Sequence, residues 1–416
     1  MAKEEIITGL DIGTNKVCVV VSRVDKEGEI EVIGFGSSST SGGLRKGVII
    51  NLENTVRAIE EAVEKAEEMA DLKVKEVIAN IGGIYLKGTN STGTRDITRG
   101  NKEITRGDIR AVMDASCALT IPLDQEIIFI SPQEYIVDGH DGIKEPPVGI
   151  IGENLGVKVH LLMGAITSMQ NIVKSINLAG LKMKNIIPGI ISTGLAVLDE
   201  EEIANGSVLI DIGGGTTGIA VFIGGALVHT HILGLGGDNV TGDIAIGLRS
   251  SQEVAERIKK EYGCAYAPLV QEGEFEVPGL GGRENTSFSV IMLNEIVQAR
   301  LEEILEIVKA EIKKTGYEDI LSAGAILSGG VANTRGIIEL AGEILKLPVK
   351  IGLPRNIRIG AGLAESRPSG RGIAELNNPV YAVATGLTRY SNMKGFSLFA
   401  KSTFSERLKK WFKNFF

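Results

Sequence analysis

Residues 207–225 read SVLIDIGGGTTGIAVFIGG: an apolar run, an aspartate, three consecutive glycines, two threonines, then a second apolar run. Short apolar runs on either side of a Gly-Thr segment predict a strand, a tight turn and a returning strand. Three bare residues in a row are costly in conformational entropy, so this turn implies that something needs the backbone uncovered. Working outward, residues 9–24 read GLDIGTNKVCVVVSRV and repeat the plan, Asp11 standing where Asp211 stands in the later stretch. Two such openings within 416 residues predict two related halves.

The chemistry of these turns points to phosphate. In the first turn Gly13 lets backbone N–H groups come close to an anion, Thr14 adds a hydroxyl, Asn15 an amide and Lys16 a cation, and Asp11 at the strand end can hold a magnesium-bound water. Alone that string reads equally well as a plain hairpin. The second turn, Gly213, Gly214, Gly215, Thr216 and Thr217 after Asp211, changes the reading. Two such turns facing each other would clasp a polyphosphate, with Asp11 and Asp211 sharing one Mg ion through water. A third glycine turn, Gly329-Gly330 followed by Val331, ends an apolar strand before a helix, where the backbone can pass close to a nucleoside. Gly236-Gly237-Asp238 marks another strand-to-helix switch with a helix N-terminus behind it. In QEVAERIKKEYG, Glu256 lies three and four residues before Lys259 and Lys260, spacing that suits either a ribose-binding face or a surface ion pair.

Between the two openings the pattern shifts. A helix is expected from Leu52, where Val56, Ile59, Val63, Ala66 and Met69 recur at three and four, followed by the strand VKEVIANIG. Residues 84–161 carry polar turns, a helix near Asp108 to Ala118 and strands around IIFISPQEYIVD and LGVKVHLLMGA, and read as an inserted α+β unit. A helix from Ser168 to Leu178 and the strand LKMKNIIPGI resume the earlier style. After the second opening come helices over Gln252–Tyr262 and Ser289–Lys314, the strand AGAILSGG, a helix through Ile337–Leu345, and a small-residue helix in NPVYAVATGLTRY.

Aromatic residues are scarce, one Trp, seven Tyr and eleven Phe, yet Trp411 and four of the Phe lie in the last thirteen positions. As a helix, Phe404, Leu408, Trp411, Phe412, Phe415 and Phe416 form one apolar stripe, with Arg407, Lys409, Lys410 and Lys413 opposite. That is the pattern of an interfacial helix on anionic lipid, although a helix docked on its own core would share it. The segment from Lys401 carries a net +4 against −8 for the whole chain, which leaves −12 on the body. An acidic body argues against general nucleic-acid binding. The start, MAKEEIITGL, lacks the apolar core of a secretory signal, and no apolar run reaches about 18 residues, so neither export nor a spanning helix is expected. Cys18, Cys117 and Cys264 show no metal or redox spacing and read as reduced thiols, two of them in the core. His229 and His231 could share a strand face but have no nearby partner ligands in sequence.

The order DIGTNK, DIGGGTT, LGGD, AERIKKEYG, ILSGG and a closing helix with Gly386 resembles the actin-like ATPase superfamily. Within it the chain is most similar, over essentially its full length, to the bacterial FtsA cell-division family. The resemblance implies an α/β fold of two RNase H-like halves with Mg-ATP between them. It implies subdomain 1A (1–83, 162–205 and 378–390), an inserted subdomain 1C (84–161), 2A (206–235 and 310–377) and 2B (236–309), then a linker (391–402) and an amphipathic membrane-targeting helix (403–416). ATP and Mg are the implied cofactors. The implied partners are the FtsZ C-terminal tail, further copies of the chain, other division proteins and the anionic membrane surface, with no nucleic acid. The implied place is peripheral, on the cytoplasmic face of the cell membrane at the division site, where such a protein tethers FtsZ filaments. Arg300, in IVQARLEEIL, matches a family contact residue and could pair a peptide carboxylate, or Glu303 on its own helix. No Asp, Glu, Gln or Asn falls between Ile186 and Leu198, where a water-orienting group is expected, so hydrolysis is expected to be slow at most and no catalytic residue is assigned. An actin-like pilus-assembly scaffold, or a metabolic ATPase or kinase of the same fold, are the competing readings.

Overall fold

The structure, a computed structural model, describes residues 5–25, 29–279, 284–355, 357–359 and 375–390. The expected linker and the amphipathic helix over 403–416 lie outside them.

Both openings are antiparallel strand pairs in one register. Glu5–Ile12 pairs with Lys16–Val24, setting Asp11 opposite Cys18 and Ile12 opposite Val17. Ser207–Ile212 pairs with Thr217–Ile223, setting Asp211 opposite Gly218 and Ile212 opposite Thr217. Each pair continues antiparallel on one side, into Ile30–Ser39 and Ala226–Leu233 respectively, and parallel on the other. The first sheet runs Lys182–Pro188, Glu76–Ile81, Glu5–Ile12, Lys16–Val24, Ile30–Ser39 and Arg358–Ile359. The second runs Ala226–Leu233, Thr217–Ile223, Ser207–Ile212, Gly324–Ser328 and Val349–Ile351. The two-halves reading is borne out by this shared plan.

Helices cover the sheets because their apolar stripes have nowhere else to go. Leu52–Ala70 starts at Asn51, whose side chain accepts from the Asn54 N–H, and ends at Asp71 in the left-handed region. Its buried Ala58, Ile59, Ala62, Val63 and Ala66 lie on the first sheet. Contact is close enough that a Cβ on Gly36 would overlap the Ala62 carbonyl oxygen. The second half packs Gly237–Gly247, Gln252–Tyr262, Val290–Lys314 and Ile337–Leu345 around a core that includes Leu293, Val297, Leu301, Ile304 and Val308. The apolar segment after Ile186 is the end of a strand and the buried helix Gly189–Val197.

The inserted α+β unit is a four-stranded antiparallel sheet, ordered Lys87–Asp96, Asn154–Ala165, Gln125–Val137 and His140–Ile143, with the helix Arg106–Ser116 against it. Thr105 and Asp108 close that helix with reciprocal side-chain bonds to backbone N–H groups.

The helix Val290–Lys314 runs unbroken across 309/310, matching the single helix expected over Ser289–Lys314. The return to the first half comes before residue 378. Arg358–Ile359 is an edge strand beside Ile30–Ser39, and Leu376 lies in a core cluster with Cys18, Val20, Val32 and Phe35. Arg355 already pairs with Asp199 of the first half at 2.6 Å. A two-residue strand has no periodicity to read, which is why the pattern did not show it.

Candidate functional site

Between the halves lies a cleft of about 570 Å³ lined by the two aspartate-glycine turns and the Gly329 turn. Each aspartate turn closes the same way: the Gly13 N–H donates to the Lys16 carbonyl, and the Gly213 N–H to the Thr216 carbonyl, both at 2.9 Å. Strand geometry then aims Asp11 and Asp211 into one space from opposite sides.

Asp11 is buried, and each of its carboxylate oxygens has one partner. Lys16 Nζ lies 3.2 Å from its Oδ2, and Asn80 Nδ2 donates to its Oδ1 at 2.7 Å. Burial works against the Lys16 ammonium, but the Asp11 carboxylate more than compensates and raises its pKa; the ring of Tyr381 lies 5.0 Å away. Asp211 accepts the Thr193 hydroxyl at 2.5 Å. Withdrawal from water pushes the Asp211 carboxyl up to about 6; the Thr193 bond opposes this, the Asp11 charge adds to it, and Lys16 opposes it.

The triple glycine has a reason that the sequence did not reveal. A Cβ on Gly214 would lie 2.5 Å from Asn15 Nδ2, and one on Gly215 would lie 2.9 Å from both the Lys46 backbone nitrogen and Thr14 Oγ1. The two turns therefore touch, and the bare backbone of one accommodates the other. Asn15 Nδ2 also crosses to Asp238 Oδ1 at 2.6 Å. Two predicted residues stand apart from the cleft. Gly215 is packed against the first half, and Thr217 is fully buried with its hydroxyl on the Leu235 carbonyl at 2.9 Å. Strand alternation explains it: Thr217 points away and Gly218 lines the cleft instead.

The remaining predicted residues, Asp11, Gly13, Thr14, Asn15, Lys16, Asp211, Gly213, Gly214, Thr216, Gly237, Glu256, Lys259, Gly329, Gly330 and Val331, all line the cleft. Gly329 has φ +83°, and a Cβ there would lie 2.5 Å from Asp211 Oδ1. On Gln252–Tyr262, Glu256 meets Lys259 at 2.6 Å and Lys260 at 3.2 Å and accepts the Thr241 hydroxyl at 2.5 Å. Lys259 also donates to the Gly237 carbonyl at 3.2 Å. Burial raises the Glu256 pKa, but the lysines and Thr241 outweigh it and the net shift is downward. The helix is thus both an ion pair and a cleft wall.

Pattern reading missed Asn80, Gly83, Gly189, Asn333 and Val380, which also line the cleft, and Thr193 behind Asp211. The available signal was a single polar residue inside an apolar run, as Asn80 in EVIANI before Gly82. In Gly189–Val197 both hydroxyls are committed, Ser192 to the Val383 carbonyl at 2.7 Å and Thr193 to Asp211.

Arg300 lies outside the cleft. Its guanidinium holds Asp243 through Nε at 2.5 Å and Nη2 at 3.1 Å, and also pairs with Glu303. His229 and His231 both face Glu311 Oε1, at 3.1 and 3.5 Å. Among the described residues no group of three or more His, Cys, Asp or Glu is arranged to hold a metal, and no helix is long and apolar enough to cross a membrane. Two carboxylates facing one space, one of them with two partners already, suit a cation that keeps most of its own water, as Mg does.

Repeated mixed sheets, a cleft between them and turns that meet across it define an actin-like protein with an inserted subdomain. The same fold appears at low identity in the PilM-PilN type IV pilus biogenesis complex (TM-score 0.67, 16% identity, 93% of this chain and 98% of that one). It appears also in MreB5 of Spiroplasma citri bound to ADP (TM-score 0.55, 15% identity, 97% and 98%). Residues 208–386 match the family model for cell division protein FtsA, and residues 83–163 match the SHS2 domain inserted in FtsA. The chain is 38% identical to cell division protein FtsA of Pseudomonas aeruginosa, covering 98% of this chain and 97% of that one. It is 37% identical to the Bacillus subtilis protein of the same name (86% and 81%) and 34% to that of Escherichia coli K12 (93% and 90%). The chain belongs to the FtsA family of cell-division proteins.

Proposed function

We propose that the cleft binds ATP with Mg, and that the chain is a polymer-forming tether that anchors FtsZ filaments to the cytoplasmic face of the cell membrane. The observation that carries the first part is the meeting of Asp11 and Asp211 over paired glycine turns in a space of about 570 Å³, a volume in the range of small-ligand sites. Backbone at Gly13, Gly213 and Gly214 would take the phosphates, Lys16 their charge, Glu256 and Lys259 the ribose side, and Gly329, Gly330 and Val331 the nucleoside. Magnesium supplies charge neutralisation at the phosphates; Asp11 and Asp211 would hold its water shell. Hydrolysis is slow on this reading, because the stretch from Ile186 to Leu198 supplies no carboxylate or amide to orient the attacking water. Bound nucleotide then acts chiefly by setting the angle between the halves and favouring polymerisation.

The tether rests on the sequence of residues 403–416. Its six apolar side chains could each contribute roughly 1.5–3 kcal/mol if fully buried, and each basic residue about 1 kcal/mol near anionic lipid, less the cost of ordering the helix. One tail would hold reversibly, and a polymer presenting many would hold firmly. Arg300 would receive the FtsZ tail peptide by exchanging Glu303 for a peptide carboxylate while Asp243 keeps its guanidinium in place. Other division proteins remain expected partners.

Co-sedimentation with anionic vesicles tests both parts, with and without ATP and an FtsZ tail peptide. The full chain should pellet with vesicles and carry the peptide down. Deletion of residues 401–416 should abolish pelleting, and Asp211→Ala should abolish nucleotide retention. Vesicle binding by the truncated chain would overturn the tail assignment, and unchanged ATP affinity in the Asp211 variant would overturn the cleft assignment.

A further inference from the structure

Asn80 is the one side chain among the described residues that holds both the backbone and the carboxylate of the first turn. It lies near the end of the strand Glu76–Ile81, which runs parallel to Glu5–Ile12 with Gly9 opposite Ile78 and Leu10 opposite Ala79. The paired register stops there. Beyond it the amide of Asn80 takes over: its Oδ1 accepts the Ile12 N–H at 2.8 Å, and its Nδ2 donates to Asp11 Oδ1 at 2.7 Å. Asn80 is 7% exposed and Asp11 5%, so neither bond competes freely with water. A carboxamide of this length is suited to the task, since it accepts and donates at once and carries no charge. Aspartate could accept but not donate, and serine is too short to span both groups.

The consequence is directional. Asp11 Oδ2 is taken by Lys16 and Oδ1 by Asn80, which fixes the plane of the carboxylate at the strand end. An ionised carboxylate has about four acceptor positions, so two remain to receive water in a set direction. Building on the reading of the cleft as a Mg-ATP site, we propose that Asn80 is a positioning residue for magnesium. It orients Asp11 toward the water shell of the ion. Groups that orient a metal-facing ligand in this way typically change metal affinity by about 10–100-fold when removed.

The test uses the full chain and a fluorescent ATP analogue, titrated with Mg at fixed nucleotide and separately in EDTA. Asn80→Ala and the milder Asn80→Ser should raise the Mg midpoint for nucleotide binding by about ten-fold or more, while binding in EDTA stays within about two-fold of wild type. Ile78→Val loosens the same strand without reaching Asp11 and should leave the midpoint in place. A wild-type midpoint in a folded Asn80 variant, or an equal shift in Ile78→Val, overturns the inference. Asp211→Ala separates the two levels. If it retains ATP, the cleft reading itself fails; if it loses ATP while the Asn80 variants keep the normal midpoint, only the role of Asn80 fails.

Discussion

Asn15 Nδ2 donates to Asp238 Oδ1 at 2.6 Å, linking a turn of the first half to the first turn of the helix Gly237–Gly247 in the second. Asp238 suits that place because a carboxylate near a helix N-terminus is favoured by the dipole. The bond lies at the rim, and Asn15 is exposed, so its contribution is modest. A double-mutant cycle on Asn15→Ala and Asp238→Ala, read by urea denaturation, should give a coupling of about 0.5–1 kcal/mol. A zero coupling would show that the rim contact does not join the halves.

The closing helix should tolerate no side chain at Gly386. A Cβ there would overlap the Ser192 carbonyl oxygen, and backbone on both sides prevents an easy retreat. Gly386→Ala is expected to cost about 3 kcal/mol or more, measured as a fall in the denaturation midpoint; a loss under about 1 kcal/mol would mean that the two helices can separate.

His160 joins the insert to the second half and should make that junction acid-sensitive. It is 1% exposed, with Nδ1 donating to Asn90 Oδ1 at 2.6 Å and Nε2 accepting the Thr230 hydroxyl at 2.8 Å. Burial, with the nearby His229 adding to it, lowers its pKa to about 3. In the unfolded chain His titrates near 6.5, so the unfolded state binds the extra proton between about 6.5 and 3. The stability this site contributes is therefore present above the unfolded pKa and lost as pH falls through that window. From pH 7 to pH 5 the loss is about 2 kcal/mol, and His160→Gln should be spared it. Thermal unfolding of both chains at the two pH values measures the difference.

Thiol labelling should be selective. Burial pushes the Cys18 thiol up to about 12, Cys264 is buried, and Cys117 is half-buried. Because the thiolate is the reactive form, a maleimide at about pH 7 should modify Cys117 first in the native chain and all three thiols after denaturation. Mass spectrometry of the labelled peptides distinguishes the sites.

If Arg300 receives the FtsZ tail, Glu303 is its competitor. Glu303→Gln should tighten binding of the tail peptide by about two- to five-fold, the range of an exposed ion pair, and Arg300→Ala should weaken it. Fluorescence anisotropy with a labelled peptide reads both; an unchanged affinity in Arg300→Ala would move the docking surface elsewhere.

Much of the fold was legible because its signals are local. The helices Gln252–Tyr262 and Ile337–Leu345 have the predicted bounds, since apolar spacing marks both, Ser251 and Gly263 flank the first and Gly336 precedes the second. Both aspartate turns were legible for the same reason. Thr217 was assigned to the cleft because the string DIGGGTT reads as one unit, yet strand alternation resumes within it and turns that side chain away. Asn80 and Thr193 were not legible, as each is a polar residue in an apolar run whose partner is fixed only by strand and helix placement.

The sequence by itself determined two like openings, the helices with their buried faces, the insert, and the aromatic-basic composition of the last sixteen residues. These depend on neighbours a few residues apart, where turn chemistry and side-chain period act directly. Which residues meet was decided by the assembled chain. Asn80 reaches Asp11 across 69 residues and Asn15 reaches Asp238 across 223, distances over which no local preference operates. Only the packing of two sheets around a shared cleft brings such groups together. It also accounts for Gly214 and Gly215, which let the halves touch where a methyl group would hold them apart.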